Sequence, residues 1–598
     1  MSQTYGRHRG SSSDRVGNIA AAVIALAALG GAGVVAVQGR TGPEGGSGGS
    51  AGVQGPAGTR QSTVPACDDA APIYASPDLT DALAQVAEGY RAASGSSCAP
   101  ITVTAVAGPS TLPGLLGGGR AALWLARSEA DVAALPATVR RTAPQVVAST
   151  PVVLAMPSPM ADTASWGWPT RPLTPDAWRA WMLGRSTWAQ TGHPEWSSFS
   201  LRMADPTTSP TAAIGYGAMI TLANGVPLAK APDYAQPSDK DLAVIKVEHR
   251  VTSLASDDGD VLPDRDATLS EVTAQASAYV TTERAVAAHN ATDPAVPLAA
   301  VPLAGGAASV PLSLLGVGAS DEDAPGAASA RGFRAYLTSA NGLTALRAAG
   351  LRGPDGAVPT DHPAGVAYAA APLEPAPVPL PVLQQTVQAW RGMHSRISSM
   401  VLVDASGSMN QHFAGGATSR IDLVRGLVGN VYQTASPRAR SGVWFFHTSN
   451  ELGTPLIERA TDLAVNESVD GGRRHSDAVV DAMSTVTIKG GTPLYQAVRE
   501  AYAYTLGEYD PGYVNQLVVL SDGANRDTTS PDTLGQLLAY LNEVKDPKRP
   551  VRIICLGYGA EADMGALQAI ASATGGRAAQ VSSPAEMKAA VNLALFSL

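Results

Sequence analysis

The sequence predicts an α/β protein in which two α/β domains follow an N-terminal transmembrane helix. Three observations lead to this fold class. An uncharged apolar run of about 19 residues lies near the N-terminus, strand-like and helix-like segments alternate over two long stretches, and a glycine-rich and a proline-rich segment separate these parts. Alternation of strands and helices is typical of a sheet that helices cover on both faces.

Length, composition and charge limit the function. The chain has 598 residues, of which 45% are hydrophobic and 16% charged, which favours several globular domains over disorder. The net charge is −9 and no dense run of Lys and Arg occurs, so we expect no nucleic-acid partner. The abundance of Ala and Gly is typical of a bacterial genome of high GC content.

The N-terminal segment predicts attachment to the cell membrane. Residues 1–17 are polar and net basic, and the apolar residues 18–38 are just long enough to cross a bilayer. The positive-inside rule keeps residues 1–17 in the cytoplasm and places the bulk of the chain outside the cell. A cleaved signal peptide is the alternative to this single-pass anchor, although no small-residue cleavage site closes the run. The glycine-rich residues 39–66 are expected to form a flexible linker.

The three cysteines fall into two groups. Cys67 and Cys98 lie early in the exported part, where an oxidising compartment favours a disulfide between them. Cys555 lies in an apolar strand pattern at residues 551–556, so we expect a buried and inert thiol. The spacing of Cys and His residues matches neither a zinc site nor a cysteine protease.

Residues 67–366 are predicted to form the first α/β domain. A strand at 72–75, a helix at 79–92 and a strand at 101–106 begin the alternation. Four features of this segment resemble bacterial extracellular solute-binding proteins. They are the turn Tyr74-Ala75-Ser76-Pro77, the loop Ala204–Ser209, the triplet Thr281-Thr282-Glu283, and Gly332–Leu337 followed by Gly350-Leu351-Arg352.

That resemblance implies two lobes facing a cleft, in which hydroxyl-bearing loops at helix N-termini hold a small solute or anion. The candidate ligand residues by position are Ser76, Ser110, Ser128 and Thr208. The alternative is that these side chains cap helices and turns, which is the commonest role of Ser and Thr. A tryptophan cluster between Trp124 and Trp196 is compatible either with the floor of a cleft or with core packing.

Five prolines between residues 372 and 381 precede the second domain. Dense proline disfavours helix, so residues 367–396 are expected to form an extended, semi-rigid connector. The last part of the connector, Gln384–Arg391, is compatible with a short helix that packs on one domain.

Residues 397–598 carry the chemistry. Met400–Val403 is a buried-strand run that delivers Asp404-Ala405-Ser406-Gly407-Ser408 to the loop at its carboxyl end. A second such strand, Leu517–Leu520, is followed by Ser521-Asp522-Gly523, and Gly490-Gly491-Thr492-Pro493 opens a helix. Open α/β sheets bind ligands at the carboxyl ends of their strands. Carboxylate and hydroxyl oxygens there are hard ligands that suit Mg²⁺.

In this order and spacing, these residues resemble the metal-ion-dependent adhesion site of the von Willebrand factor type A family, over about 200 residues. The resemblance implies a doubly wound α/β domain. Carried over by motif, Ser406 and Ser408 hold the metal through their hydroxyls, Thr492 binds it directly or through water, and Asp404 and Asp522 act mainly through water. The metal, Mg²⁺ or else Mn²⁺ or Ca²⁺, is then expected to take a carboxylate from a protein partner.

The segment His447–Gly490 is expected to border the metal. It contains Arg473, Arg474 and His475, which would favour an acidic partner if they lie beside the site, although a solvated loop is the commoner arrangement.

Two functions follow from these domains. The first is a membrane-anchored adhesion or assembly protein that binds a protein partner through the metal. The second is a solute receptor in which the second domain relays occupancy of the cleft. An enzyme is disfavoured, because the chain has neither a Gly-x-x-x-x-Gly-Lys phosphate loop nor a nucleophile elbow between a strand and a helix.

Overall fold

The structure is a computed structural model. It describes residues 64–583 and 586, except residues 118, 165, 167, 169–172, 227–237, 304–307, 320–321, 360–377, 395, 414–416, 451–452, 523–524, 526–531 and 561. The predicted cytoplasmic tail, the transmembrane helix and most of the linker therefore lie outside the described residues. Within the described ranges, every helix is too short or too polar to cross a membrane.

Strands and helices alternate along the described chain, which confirms the predicted α/β character. The strands are β1 (Ala66–Ala75), β2 (Ala99–Ala105), β3 (Ala121–Ala126), β4 (Gln145–Pro157), β5 (Leu201–Ala204), β6 (Val251–Ala255), β7 (Ala278–Thr282), β8 (Leu298–Pro302), β9 (Ser309–Gly318), β10 (Ile397–Asp404), β11 (Arg440–Thr448), β12 (Pro455–Val465), β13 (Val469–Asp470), β14 (Arg473–Arg474), β15 (Val514–Ser521), β16 (Val551–Tyr558) and β17 (Ala578–Val581). The helices are α1 (Thr80–Ser94), α2 (Leu112–Leu115), α3 (Glu129–Ala134), α4 (Ser158–Thr163), α5 (Pro175–Met182), α6 (Pro210–Asn224), α7 (Asp239–Arg250), α8 (Leu269–Gln275), α9 (Glu283–Asn290), α10 (Ala327–Leu337), α11 (Ala340–Ala348), α12 (Leu380–His394), α13 (Arg420–Thr434), α14 (His475–Thr485), α15 (Leu494–Gly507), α16 (Leu534–Val544) and α17 (Met564–Ala573).

The first domain is built on one mixed sheet with the strand order β2-β1-β3-β9-β4-β7-β5-β6, and β8 also pairs with β4. The long strand β4 joins two halves of this sheet. Residues 145–151 of β4 pair with β9, and residues 152–157 pair with β7 or β8. We call β2-β1-β3-β9 the first half-sheet, and β5 to β8 the second half-sheet.

Tryptophan packing settles one alternative that the sequence left open. The rings of Trp166, Trp178, Trp181 and Trp188 surround Phe199, with centroid separations of 4.3–6.4 Å within the group. All five side chains are buried, and the indole N–H groups of Trp178 and Trp188 donate to protein oxygens. These tryptophans form the core of the second half-sheet rather than the floor of a cleft.

The structure contains the predicted Cys67–Cys98 disulfide, which ties the start of β1 to the segment that leads into β2. Ala66 pairs with Ala99 in the same place. The linker therefore ends before Ala66, because β1 already begins there. Cys555 is a free, buried thiol as predicted, and burial raises its pKa well above the usual value.

The described part of the connector is mostly helical, and it contains the short helix predicted at Gln384–Arg391. The prolines up to residue 377 lie outside the described residues, and the helix begins earlier than predicted. Helix α12 begins at Leu380, so Pro381 lies in its first turn, where a missing N–H costs no intrahelical hydrogen bond. The helix packs on the first domain: Trp390 is buried edge-on against Tyr216, with ring centroids 5.0 Å apart. Its first backbone N–H donates to Glu129 of α3 at 3.0 Å.

The second domain has the strand order β12-β11-β10-β15-β16-β17. All neighbours in this sheet are parallel except β12, which pairs antiparallel with β11 at one edge. Alternate residues of the strands enter different cores: Val403 packs with α13 and α14, and Leu402 packs with α15 to α17. Helices thus cover both faces. The apolar pattern at residues 551–556 lies in β16, and a further strand, β17, follows it.

Helix α7 of the first domain also contacts the second domain. The side chain of Ile245 is part of the buried apolar cluster that contains Leu427 of α13. Three residues further along α7, the buried Glu248 accepts hydrogen bonds from Arg438 at 2.7 Å and from His394 of α12 at 2.8 Å. The two domains therefore share apolar and charged contacts along α7.

Candidate metal centre

Strand β10 ends at Asp404, whose side chain is fully buried at the carboxyl edge of the sheet. One carboxylate oxygen accepts the backbone N–H of Ser406 at 2.8 Å, and the other accepts the Ser521 hydroxyl at 2.7 Å. Burial, and secondly the neighbouring charge of Asp522, raise the pKa of Asp404 to about 7. Both of these hydrogen-bond donors are neutral, so among the described residues they do not compensate the negative charge of Asp404.

The two serines of the loop after β10 connect Asp404 to the end of β15. The hydroxyl oxygens of Ser406 and Ser408 lie 3.0 Å apart, and the Ser408 hydroxyl donates to Asp522 at 2.8 Å. Asp522 directly follows β15, which is hydrogen-bonded to β10 along its length. Neighbouring parallel strands therefore bring side chains more than 110 residues apart into contact.

The glycine loop before α15 completes the site. Gly490 has φ +72, and a β-carbon there would lie 2.1 Å from the carbonyl oxygen of Thr448, so only glycine fits. The Gly407 N–H donates to the Gly490 carbonyl at 3.0 Å, and the Gly491 N–H donates to the Thr448 hydroxyl at 2.6 Å. These bonds hold the buried Thr492 at the same edge of the sheet as the loop after β10.

The arrangement fits a hard divalent cation. Three loops bring five oxygen-bearing side chains to one edge of the sheet, namely those of Asp404, Ser406, Ser408, Thr492 and Asp522. A buried carboxylate without a counter-charge is costly, and a cation would relieve that cost. No group of three or more His, Cys, Asp and Glu side chains suited to a metal occurs in the described residues. The predicted set contains two such side chains, and hydroxyls supply its other oxygens.

Sequence reasoning missed Arg420. This buried residue opens α13, and its guanidinium contacts Asp522 at 2.7 Å. Gly559 has no side chain and so leaves space for the guanidinium, because a β-carbon at that position would lie 2.7 Å from it. A cation in the first turn of a helix opposes the helix dipole. That unfavourable position was the available signal that Arg420 has another role.

Because Arg420 places a positive charge beside a predicted metal ligand, Arg420→Gln should bind Mg²⁺ more tightly than the wild-type chain. Like charges a few ångströms apart repel by several kcal/mol at an intermediate dielectric, so we expect a gain of at least about tenfold in affinity. Isothermal titration calorimetry with MgCl₂ measures it. Arg425→Gln is the control, since Arg425 lies on the same helix and pairs with the exposed Asp422. Unchanged or weaker Mg²⁺ binding by Arg420→Gln would contradict this role.

The two ends of the segment His447–Gly490 border the site, but its basic residues lie elsewhere, which agrees with the alternative of a solvated loop. His475 contacts the carbonyl of Ser441 at 2.7 Å, and Ser441 pairs with Ser399 near the start of β10. Asp404 lies five residues further along that strand, or ~16 Å at ~3.3 Å per residue. Arg473 and Arg474 form a hairpin strand beside His475 at this far end of the sheet, because the chain runs back along β12 before it reaches them.

The four candidate ligand residues of the first domain have different environments. Ser128 accepts the Asp131 N–H and so caps α3, and Thr208 and Ser110 are exposed turn residues. The hydroxyl of Ser76 is buried and has no hydrogen-bond partner among the described residues. The capping alternative therefore applies to Ser128, and the turn alternative applies to Thr208 and Ser110.

Three residues that the sequence reasoning did not select meet in the first domain. Arg127 follows β3, Ser209 precedes α6, and Asp258 follows β6. The guanidinium of Arg127 lies 2.6 Å from one oxygen of Asp258, and the Ser209 hydroxyl donates to the other oxygen. Arg127 belongs to the first half-sheet and the other two belong to the second, so this contact spans the domain.

One comparison with known proteins assigns a range of residues, and that range lies in the first domain. Residues 71–352 match the family described as bacterial extracellular solute-binding protein, which assigns a solute-binding domain to that part of the chain. An uncharacterized protein of Mycobacterium tuberculosis is 24% identical over 557 residues, which cover 88% of this chain and 76% of the relative.

Two solved structures are each similar to a part of the chain. A von Willebrand factor type A protein from Catenulispora acidiphila is 18% identical with a TM-score of 0.25, over 33% of this chain and 41% of that one. The periplasmic molybdate-binding protein of Azotobacter vinelandii is 11% identical with a TM-score of 0.27, over 47% of this chain and 98% of that one.

Proposed function

We propose that this chain is an extracellular binding protein that holds a divalent cation at Asp404, Ser406, Ser408, Thr492 and Asp522, and through it binds an acidic group of a protein partner. The observation that supports the proposal best is the hydrogen-bonded chain from Ser406 through Ser408 to Asp522 beside the buried Asp404. Hard oxygen donors favour Mg²⁺, and Mn²⁺ or Ca²⁺ share this preference for oxygen.

The charges of the site account for the expected partner. Once Asp404 has lost its proton, the two carboxylates and the Arg420 guanidinium carry one net negative charge, and a divalent cation turns this into one net positive charge. A cation of this kind supplies an open coordination position for an anionic oxygen. The serine hydroxyls hold the cation directly, and the carboxylates supply its counter-charge. We propose a binding site without catalysis, because both carboxylates serve the cation and neither is left to act as a general base.

Capture of a partner from membrane extract tests this proposal. The immobilised full-length chain should retain a partner in Mg²⁺ and release it in chelator, and Asp404→Ala should retain none in either condition. Asp477→Ala is the matched control, because this exposed acid pairs with Arg474 at the far end of the sheet. Retention that is equal with and without Mg²⁺, or equal for Asp404→Ala and the wild-type chain, would exclude a metal-bridged contact.

We also propose that residues 18–38 anchor the protein in the cell membrane with both domains outside. The apolar run and the basic flank motivate this topology. Protease added to intact cells should remove both domains and leave residues 1–17 protected. Resistance of the second domain in intact cells, followed by cleavage after lysis, would place it inside the cell instead.

A second candidate function is a solute receptor, and the family match of residues 71–352 favours it. The hydroxyl of Ser76 after β1 is buried and has no hydrogen-bond partner in the described part of the chain, which is compatible with a ligand in this domain. In this case the first domain would bind a small molecule or an anion, and the contacts along α7 and α12 would relay its occupancy.

A further inference from the structure

The strands of the first domain bring their carboxyl ends together between the two half-sheets. Arg127 follows β3 of the first half-sheet, and Asp258 lies in the turn after β6 of the second. Their side chains are 15% and 13% exposed, so solvent screens the ion pair only partly. The pair joins residues 131 positions apart in sequence and connects the two half-sheets directly.

Both oxygens of the Asp258 carboxylate are engaged in this position. One pairs with Arg127, and the other accepts the hydroxyl of Ser209. Ser209 is the N-cap of the 15-residue helix α6, where the helix dipole also favours a negative charge. A guanidinium, a hydroxyl and a helix N-terminus make up an environment suited to a bound oxyanion or carboxylate.

Two further carboxylates surround this pair among the described residues. A carboxylate oxygen of Asp78 lies 3.7 Å from the same guanidinium nitrogen of Arg127. The side chain of Asp131 accepts the backbone N–H of Arg127 at 3.0 Å. An added anion would therefore meet three carboxylates around one guanidinium, and Coulomb repulsion would oppose its entry.

We infer that Asp258 is an internal ligand: its carboxylate occupies an anion-binding position between the half-sheets and holds the first domain closed without a solute. The position itself, formed by Arg127, Ser209 and the start of α6, accepts an oxyanion or carboxylate group once Asp258 is removed. This inference does not depend on the metal site. It makes the first domain a rigid platform for the second domain rather than a receptor that closes on an anion.

Helix α12 supports the same closed state from outside. At the start of α12, the Leu380 N–H donates to Glu129, which lies at the N-terminus of α3. Further along, Trp390 packs against Tyr216 of α6. Since α3 follows the first half-sheet and α6 lies in the second, one helix spans both halves and then continues into β10.

Calorimetric titration of the full-length chain with sulfate, phosphate and acetate tests the inference. The wild-type chain should give no binding heat up to about 10 mM of each anion. Asp258→Ser should bind at least one of them about tenfold or more tighter, and adding Arg127→Met should abolish that gain. Asp257→Ser is the matched control, because this neighbouring acid bonds only to backbone N–H groups of its own turn.

Asp258→Asn provides a second variant of nearly unchanged shape, in case Asp258→Ser does not fold. It should also bind the anion more tightly than the wild-type chain, but by a smaller factor than Asp258→Ser, because the amide oxygen of Asn can still accept a hydrogen bond from Ser209. An anion that binds the wild-type chain below about 1 mM, and no tighter in either Asp258 variant, would overturn the inference. So would the absence of any gain in both variants. Neither result would bear on Mg²⁺ binding.

Discussion

A full-length Asp404→Ala variant should lose the stabilisation that Mg²⁺ gives to the wild-type chain. Ligand binding to the folded state alone stabilises it by about 2.7 kcal/mol at a concentration of one hundred times the dissociation constant. For a domain of roughly 200 residues this corresponds to a rise of about 5–11 °C in melting temperature. The rise should vanish in the variant, because Asp404 supplies a large part of the negative charge that attracts the cation.

Scanning calorimetry of both proteins, in chelator and in millimolar Mg²⁺, measures this effect on the transition of the second domain. The variant should still fold, since Asp404 lies at the edge of the sheet and its neighbours Val403 and Leu402 keep their places in the cores. Asp477→Ala should keep the full rise. A wild-type chain that melts at one temperature in both conditions would show that no divalent cation binds the folded site.

Arg352→Met should destabilise the first domain strongly. The guanidinium of Arg352 donates through two nitrogens to the two carboxylate oxygens of Glu283, each at 2.7 Å. The side chains of Arg352 and Glu283 are buried. Loss of one partner leaves a buried charge unpaired, which costs about 3–5 kcal/mol. For a domain of this size we expect a decrease of roughly 6–20 °C in melting temperature.

A nearby ion pair provides the control for this prediction. Arg347 pairs with Asp355 at 2.6 Å, but the Asp355 side chain is half exposed, so Arg347→Met should cost less than about 1 kcal/mol. The double variant Arg352→Met with Glu283→Leu should recover much of the lost stability, because it leaves no unpaired charge. Equal melting temperatures for Arg352→Met and Arg347→Met would show that burial does not determine the strength of the Glu283 pair.

Local sequence was sufficient for features that depend on one strand and the loop after it. The apolar runs before Asp404 and Asp522 predicted two buried strands, and both strands lie in the observed sheet. Because parallel strands present their carboxyl ends at the same edge, the position of these acids followed without knowledge of the sheet order. The Cys67–Cys98 disulfide was predictable in the same way, since the two residues flank one strand–helix unit.

Contacts between distant segments could not be predicted from such patterns. The triplets ending in Glu283 and Arg352 were both recognised in the sequence, but their buried ion pair depends on how β4 and β7 meet. The sequence also left open whether the segment of Arg473 lies beside the metal site, because the number of residues in a loop does not reveal the direction in which the chain returns.

The sequence by itself thus determined the α/β class, the cysteine pairing and the set of oxygen-bearing side chains at the end of β10. Only the tertiary structure placed Arg420 against Asp522, and Asp258 between Arg127 and Ser209. The physical reason is the same in both cases. The partner of a charged side chain is determined by which groups the fold places near it. The energy of a buried ion pair depends on distance and burial, and the order of residues specifies neither.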